Sequence, residues 1–249
     1  MIRSGQVGVN GTIRCDPDRP VRIEHDRIAV NGRPVEPQAK IYLMMNKPRG
    51  AVTTASDEKG RETVYSVLAG SRADLPAWVA PVGRLDKASE GLLLLTNDSE
   101  WGACIAAPET HLEKTYHVQI AAVTDESFLS ALVRGVRDES REVLRAKRAR
   151  LLRSGQKNCW LEIVLDEGKN RQIRRMMDVV GVETLRLIRI AIGPLQLGKL
   201  AKGEFRPLTA KEKRFLDQAM RHEPARSSRM AAECESPGTG VPGKRPRQK

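Results

Sequence analysis

The segment Gly91-Leu92-Leu93-Leu94-Leu95-Thr96-Asn97-Asp98 constrains this chain more than any other. Four consecutive leucines, bounded by a glycine and by the turn formers Asn97 and Asp98, read as a buried core strand. The polar stretch before it, Gly83-Arg84-Leu85-Asp86-Lys87-Ala88-Ser89-Glu90, must then be a loop delivered by a rigid element. If Arg84 to Asp86 is extended, the guanidinium and the carboxylate point to the same side, because side chains alternate along extended backbone. Taken alone, an Arg-x-Asp pair is an ordinary surface ion pair, so its meaning depends on what the rest of the chain supplies.

Further strand candidates are Ile41 to Met45, Ala51 to Thr54, Lys114 to Ile120, Trp160 to Leu165 and Leu185 to Ile192, with helical patterns between several of them. Phe128, Ala131 and Leu132 follow the acidic start Asp125-Glu126 at helical spacing. Ile173, Met176, Met177 and Val180 repeat at i, i+3, i+4 and i+7 before Gly181 stops the helix. A last helix opens at Thr209-Ala210-Lys211-Glu212, a capping-box pattern, and is expected to bury Phe215, Leu216 and Ala219. Upstream, Val7-Gly8-Val9-Asn10-Gly11 and Ile28-Ala29-Val30-Asn31-Gly32 each end in the dipeptide best suited to a tight hairpin turn. Pro34 and Pro37 mark a linker or domain edge. Beyond about Arg221 the sequence turns to Pro, Gly, Ser and charge, with too little apolar content to offset the entropy of ordering, so residues 221–249 are expected to be a disordered basic tail.

Lys plus Arg number 43 against 31 Asp plus Glu, a net charge of +12. Such an excess favours a polyanionic partner. No apolar run approaches the roughly 20 residues that span a bilayer, and Met1 to Gly5 lack a signal-peptide core, so a cytoplasmic polyanion is the better expectation than a membrane. Cys15, Cys104, Cys159 and Cys234 are too scattered for a redox pair or zinc site and read as reduced, mostly buried thiols. The four histidines are equally dispersed, and no metal is expected.

Two more segments carry candidate chemistry. Asp166-Glu167-Gly168-Lys169-Asn170-Arg171-Gln172-Ile173-Arg174-Arg175 follows a strand and opens a helix. Four cations at a helix N-terminus oppose the helix dipole unless an anion sits opposite them, whether RNA phosphate, a protein carboxylate or both. In Lys114-Thr115-Tyr116-His117-Val118, strand alternation puts Lys114, Tyr116 and Val118 on one face. Tyr116 is there either as half-buried packing or as a ring that stacks on an unpaired base.

The Gly83-Arg84-Leu85-Asp86 loop, the Glu113-Lys114-Thr115-Tyr116 strand and the Asn170-to-Met176 helix resemble, in order, three motifs of the RsuA/RluB-type ribosomal RNA pseudouridine synthases. Lys47-Pro48-Arg49-Gly50 resembles a fourth, and Arg189 to Leu208 resembles the family's C-terminal pattern. The likeness covers roughly residues 38 to 215. It implies an α+β fold with a mixed, largely antiparallel sheet, flanking helices and a central RNA-binding cleft. It also implies a catalytic domain at 38–220. Asp86 matches the catalytic aspartate, Tyr116 the tyrosine packed on the target base, Arg174 the basic residue that pairs with the aspartate, and Ile173 the apolar residue beside it. Arg84, Lys47, Lys114, Lys169, Asn170, Arg171 and Arg175 are the candidate RNA contacts. Residues 1–37 resemble only the second half of an S4-like RNA-binding module, so either the true start lies upstream or the module is degenerate.

The implied activity is isomerisation of a uridine in ribosomal RNA, large-subunit RNA being favoured over small-subunit, by a monomer acting without cofactor. The reaction breaks the bond from base nitrogen to ribose, turns the uracil and rejoins it through carbon, so it needs no redox agent, metal or external energy. It does need a positioned carboxylate and a pocket that retains the free base. Two rival readings are an RNA-binding ribosome-assembly factor without chemistry, against which an intact Asp86 and Arg174 argue, and a glycosidase. The latter asks for two acidic residues across a cleft, and neither Glu90 nor Asp98 has an independent reason to face Asp86.

Overall fold

The structure is a computed structural model that describes residues 1–22, 25–36, 38–54, 57–70 and 78–221. Pro37, His222, Cys234 and the expected basic tail beyond Arg221 lie outside the described residues. The described residues divide into two compact units, one within 1–102 with 199–208, the other of 103–198 with 209–221.

The first unit opens with a small antiparallel sheet of β1 (Val7–Val9), β2 (Thr12–Arg14), β3 (Ile28–Val30) and β4 (Arg33–Pro34), in the order β2-β1-β3-β4. Both Asn-Gly dipeptides make the hairpin turns. Asn10 and Gly11 have φ of 52° and 79°, and Asn31 and Gly32 of 50° and 76°, as a two-residue turn matched to strand twist requires. Pro34 closes an edge strand instead of ending regular structure, a place where its missing N–H costs nothing.

The main strands of this unit are β5 (Tyr42–Lys47), β6 (Ala80–Val82) and β7 (Glu90–Thr96), joined by the returning segment Phe205–Pro207 and accompanied by helix α1 (Val64–Gly70); helix α2 (Ser99–Ala106) begins in this unit and runs into the second. β7 pairs antiparallel with β5, Leu43 opposite Leu95 and Lys47 opposite Gly91, while Phe205–Pro207 pairs with the other edge of β5. Every residue of β7 is buried, and Leu92 to Leu95 have no solvent exposure. Burying each leucine stabilises the fold by about 1.5–3 kcal/mol, so the leucine run is the spine of the unit. The expected strand Ala51 to Thr54 does not form. Ala51, Val52 and Thr53 are buried as a loop with a single parallel bridge, Val52 to Thr63.

In the second unit β8 (Lys114–Ile120), β11 (Arg148–Ser154), β12 (Cys159–Leu165), β13 (Thr184–Ile192) and β14 (Leu195–Gln196) form an antiparallel sheet in the order β11-β12-β8-β13-β14, with a separate hairpin of β9 (Val136–Arg137) and β10 (Val143–Leu144). Helices α3 (Glu126–Arg134) and α4 (Gln172–Val179) bury Leu129, Leu132, Ile173, Met176 and Met177 in one core with Val118, Leu161, Ile163 and Leu165 from one face of the sheet. Asp125 caps α3 by accepting from the Phe128 N–H at 3.0 Å. α5 (Ala210–Arg221) begins with the expected capping box: Thr209 N–H donates to the Glu212 carboxylate at 2.8 Å and the Glu212 N–H donates to Thr209 Oγ1 at 3.2 Å. Leu216 is buried on α5, but Phe215 is not. It stays 42% exposed with the Lys211 ammonium 5.5 Å above its ring, because a 12-residue surface helix needs only a narrow apolar stripe. The expectation of mostly buried thiols also fails: Cys159 is buried, whereas Cys15 and Cys104 are exposed.

Candidate active site

In the first unit the site is the loop from Gly83 to Glu90. Gly83 leaves β6 with φ 69°, Leu85 turns into the core, Arg84 is exposed and Asp86 is half-buried. The loop is braced from two places that precede it by more than thirty residues. Thr53 Oγ1 donates to the Leu85 carbonyl at 2.8 Å and accepts from the Leu85 N–H at 3.3 Å, so one hydroxyl satisfies both backbone groups of the residue before Asp86. Lys47, at the end of β5, is fully buried, and its ammonium donates to the carbonyls of Pro48 (3.1 Å), Asp86 (3.2 Å) and Ser89 (2.9 Å). Ser89 N–H closes a turn onto the Asp86 carbonyl at 3.0 Å, and Gly50 N–H donates to Lys87 at 2.8 Å.

Burial pushes the Lys47 ammonium down to about 8 from the usual 10.5, partly offset by the negative charges of Asp86 and Glu90. Glu90 is itself only 3% exposed and meets Lys202 at 2.7 Å. Lys47, expected among the RNA contacts, is thus a strut of the Asp86 loop: a side chain without solvent exposure, all three of its donors on backbone carbonyls, has nothing left for phosphate.

In the second unit β8 places Lys114, Tyr116 and Val118 on the face that packs against α3 and α4. Tyr116 lies opposite Ile163 and rests, half-buried, against that core. Lys114 is half-buried, and burial together with the neighbouring Arg189 holds its ammonium below the usual value. Ile173 is 3% exposed in the first turn of α4, beside Arg174. Arg171 caps α4 in the left-handed conformation, φ 48°, and is exposed along with Asn170.

For two of the four cations at the α4 start, Arg175 and Lys169, the anions include protein carboxylates of the β9–β10 hairpin. Arg175 is bound by Asp138 and by Glu142, the latter at 2.6 Å. Lys169 donates to the Val143 carbonyl at 2.9 Å and lies 3.2 Å from Glu167 and 3.5 Å from Glu142. Hydrogen bonds from Ser140 and Arg175 hold the Asp138 carboxyl down to about 2. Lys169 and Arg175 therefore pin the hairpin to the helix. Sequence reasoning leaves the carboxylate alternative open but does not find the hairpin partners, which lie more than twenty residues upstream. Thr53 and Glu90 were likewise missed as supports, since nothing local marks a threonine or a glutamate as a brace. Among the described residues no group of three His, Cys, Asp or Glu side chains could hold a metal ion, and no helix is long and apolar enough to cross a membrane.

The chain belongs to the RNA pseudouridylate synthase family, whose pattern matches residues 41–178. It is 36% identical over 214 residues to ribosomal large subunit pseudouridine synthase B of Bacillus subtilis, covering 85% of each chain. It is 33% identical over 239 residues to the Salmonella typhimurium protein of the same name, covering 94% of this chain and 81% of that one. A crystal structure of a pseudouridylate synthase superposes with a TM-score of 0.62 at 31% identity, over 86% of this chain and 90% of that one. The α+β fold and the enzyme class expected from the four motifs are those of the family.

Proposed function

We propose that this chain isomerises a specific uridine of ribosomal RNA to pseudouridine, with the large-subunit RNA as its target, and that Asp86 is the catalytic carboxylate. The observation that carries the reading is the double brace on the Asp86 loop, by Lys47 and Thr53. Family membership and the names of the Bacillus and Salmonella relatives support the substrate.

A carboxylate that attacks a nucleoside must be held in near-attack geometry while a detached uracil turns beside it. Fixing the backbone on both sides of Asp86 removes loop freedom as a source of misalignment. In this reading Tyr116 and Ile173 replace the stacking that the uridine loses when it leaves its helix, worth a few kcal/mol. Arg174 offsets the cost of keeping Asp86 ionised beneath a polyanion, and Arg84, Lys114, Asn170 and Arg171 contact the RNA. The proposal also has the enzyme working as a cytoplasmic monomer without a cofactor, with residues 1–37 as the strand-rich half of an S4-like RNA-binding module, 38–220 as the catalytic domain and 221–249 as a basic tail.

The test is pseudouridine mapping in ribosomal RNA from cells lacking the gene. Wild type should restore one missing pseudouridine in the large-subunit RNA and Asp86→Asn should not. Restoration by Asp86→Asn to the wild-type level would overturn the assignment.

A further inference from the structure

In the second unit, the face of the sheet turned away from α3 and α4 carries Trp160 and Glu162 on β12, His117 and Gln119 on β8, Arg186 on β13, and Arg148, Arg150 and Arg153 on β11. The Arg153 guanidinium lies 5.2 Å from the centre of the Trp160 ring and the Arg186 guanidinium 5.6 Å from it. Both placements depend on β-bulges. On β11 the register slips between Leu151, opposite Leu161, and Arg153, opposite Trp160. Without the extra residue Leu152 would sit beside the ring. On β13 it slips between Thr184, opposite Ile120, and Arg186, opposite Gln119. Without it Leu185 would occupy that position. Two independent bulges thus each substitute an arginine for a leucine around one tryptophan. Burial of the leucine does not explain the first, because Leu152 is still 37% exposed. Bulges that re-aim a side chain are characteristic of functional surfaces.

We propose that Arg153, Trp160 and Arg186 form an RNA-backbone clamp that engages substrate outside the base-isomerising pocket. This inference rests on the RNA-modifying reading above. Placed over the indole, the exposed Arg153 guanidinium is pre-ordered while its N–H groups stay available to phosphate oxygens, and the Arg186 cation on the same ring adds positive charge beside it. The charge of the surface fits RNA and not an acidic-basic protein interface. Strands β8, β11, β12 and β13 contain one acidic residue, Glu162, which is taken by Arg150 at 2.7 Å with His117 at 3.6 Å. Arg148 is paired with Glu113, whereas Arg153 is exposed and has no carboxylate within ion-pair distance among the described residues.

Because Tyr116 and Ile173 lie on the opposite, helix-covered face, one RNA reaching both must pass around the sheet. The clamp therefore selects a long, folded RNA over an isolated stem-loop.

The test compares wild type with Arg153→Ala/Arg186→Ala, using a protein-free transcript of the ribosomal RNA that carries the target uridine and a short stem-loop containing the same uridine. The double variant should bind the long transcript about tenfold more weakly, with the slope of log K against log salt shallower by about 2. It should raise KM on that transcript while leaving kcat unchanged, and match wild type on the stem-loop. Arg153→Ala alone, at an exposed site, should show about half of the salt effect and serves if the double variant misfolds. An unchanged salt slope and KM on the long transcript, with wild type active, would overturn the clamp. A wild type that makes no pseudouridine in either RNA would overturn the functional reading instead.

Discussion

Replacing Lys47 by Met removes the buried ammonium and leaves the stem of the side chain nearly unchanged in shape. Two opposing effects follow. The carbonyls of Pro48, Asp86 and Ser89 lose their shared donor, at about 1–3 kcal/mol for each group left unsatisfied. Against that, the native state no longer bears the cost of a desolvated charge, which the drop from 10.5 to about 8 puts at about 3 kcal/mol. The net change at neutral pH is a small difference between these quantities, but its pH dependence is not. A lysine whose ammonium is less stable in the folded than in the unfolded protein gives it up first in the folded state. Between pH 8 and 10.5 the unfolded chain therefore holds more protons, and raising the pH favours folding. From about pH 7.5 to about pH 9.5 the wild type should gain about 2 kcal/mol of stability from this one group. The variant should gain none of it. Urea unfolding of both proteins at the two pH values isolates the effect, because every other titrating group cancels in the difference. A gap between wild type and Lys47→Met that stays constant with pH would refute the idea that this lysine is a charged strut.

Glu90→Gln removes one of the two charges that favour the Lys47 ammonium, so the pH at which stability begins to rise should move down, as followed by the same unfolding series or by NMR titration of the Lys47 side chain. Thr209→Ala removes one side of the α5 capping box and should cost about 1 kcal/mol in urea unfolding; an unchanged midpoint would mean that α5 frays independently of the fold. Gly193 sits at φ 51° in the turn between β13 and β14, and a Cβ there would stand 2.5 Å from Leu112 Cδ1. Gly193→Ala should therefore lower stability by about 1–3 kcal/mol through backbone strain and displacement of Leu112, with a Tm equal to wild type as the contrary result.

The elements that sequence reasoning located are those whose signals are local. The leucine run became β7, the alternation from Lys114 to Ile120 became β8 with the same ends, and Asn-Gly, Asp125 and Thr209-x-x-Glu212 made the turns and caps that their chemistry favours. β11, Arg-Ala-Arg-Leu-Leu-Arg-Ser, went unseen because its apolar side chains do not alternate. The bulge that explains the mismatch is a property of its pairing with β12. Ala51 to Thr54 was read as a strand because apolar content signals burial, and burial is what it has. Its backbone pairs locally, Val52 N–H with the Glu62 carbonyl and the Val52 carbonyl with Val64 N–H, in place of a strand ladder. Lys47, Arg175 and Lys169 were placed on the RNA for a related reason: sequence shows that a cation exists but not which oxygen, 26 to 42 residues away, accepts from it.

These reassignments change what the positive charge of the protein does. Cations near the motifs are candidate RNA contacts by sequence, yet three of them hold the protein's own loop and hairpin in place. A synthase has reason to separate the two tasks. Had the ammonium behind Asp86 also bound phosphate, each arriving RNA would pull on the carbonyls that fix the backbone around Asp86, the carboxylate proposed to react. Lys47 is buried, and the attraction of the polyanion is left to side chains whose movement does not disturb the loop. Substrate binding and carboxylate alignment can then vary independently. In kinetic terms, substitution of an exposed arginine such as Arg153 should change KM and its salt dependence, whereas substitution of the buried braces Lys47 and Thr53 should change kcat.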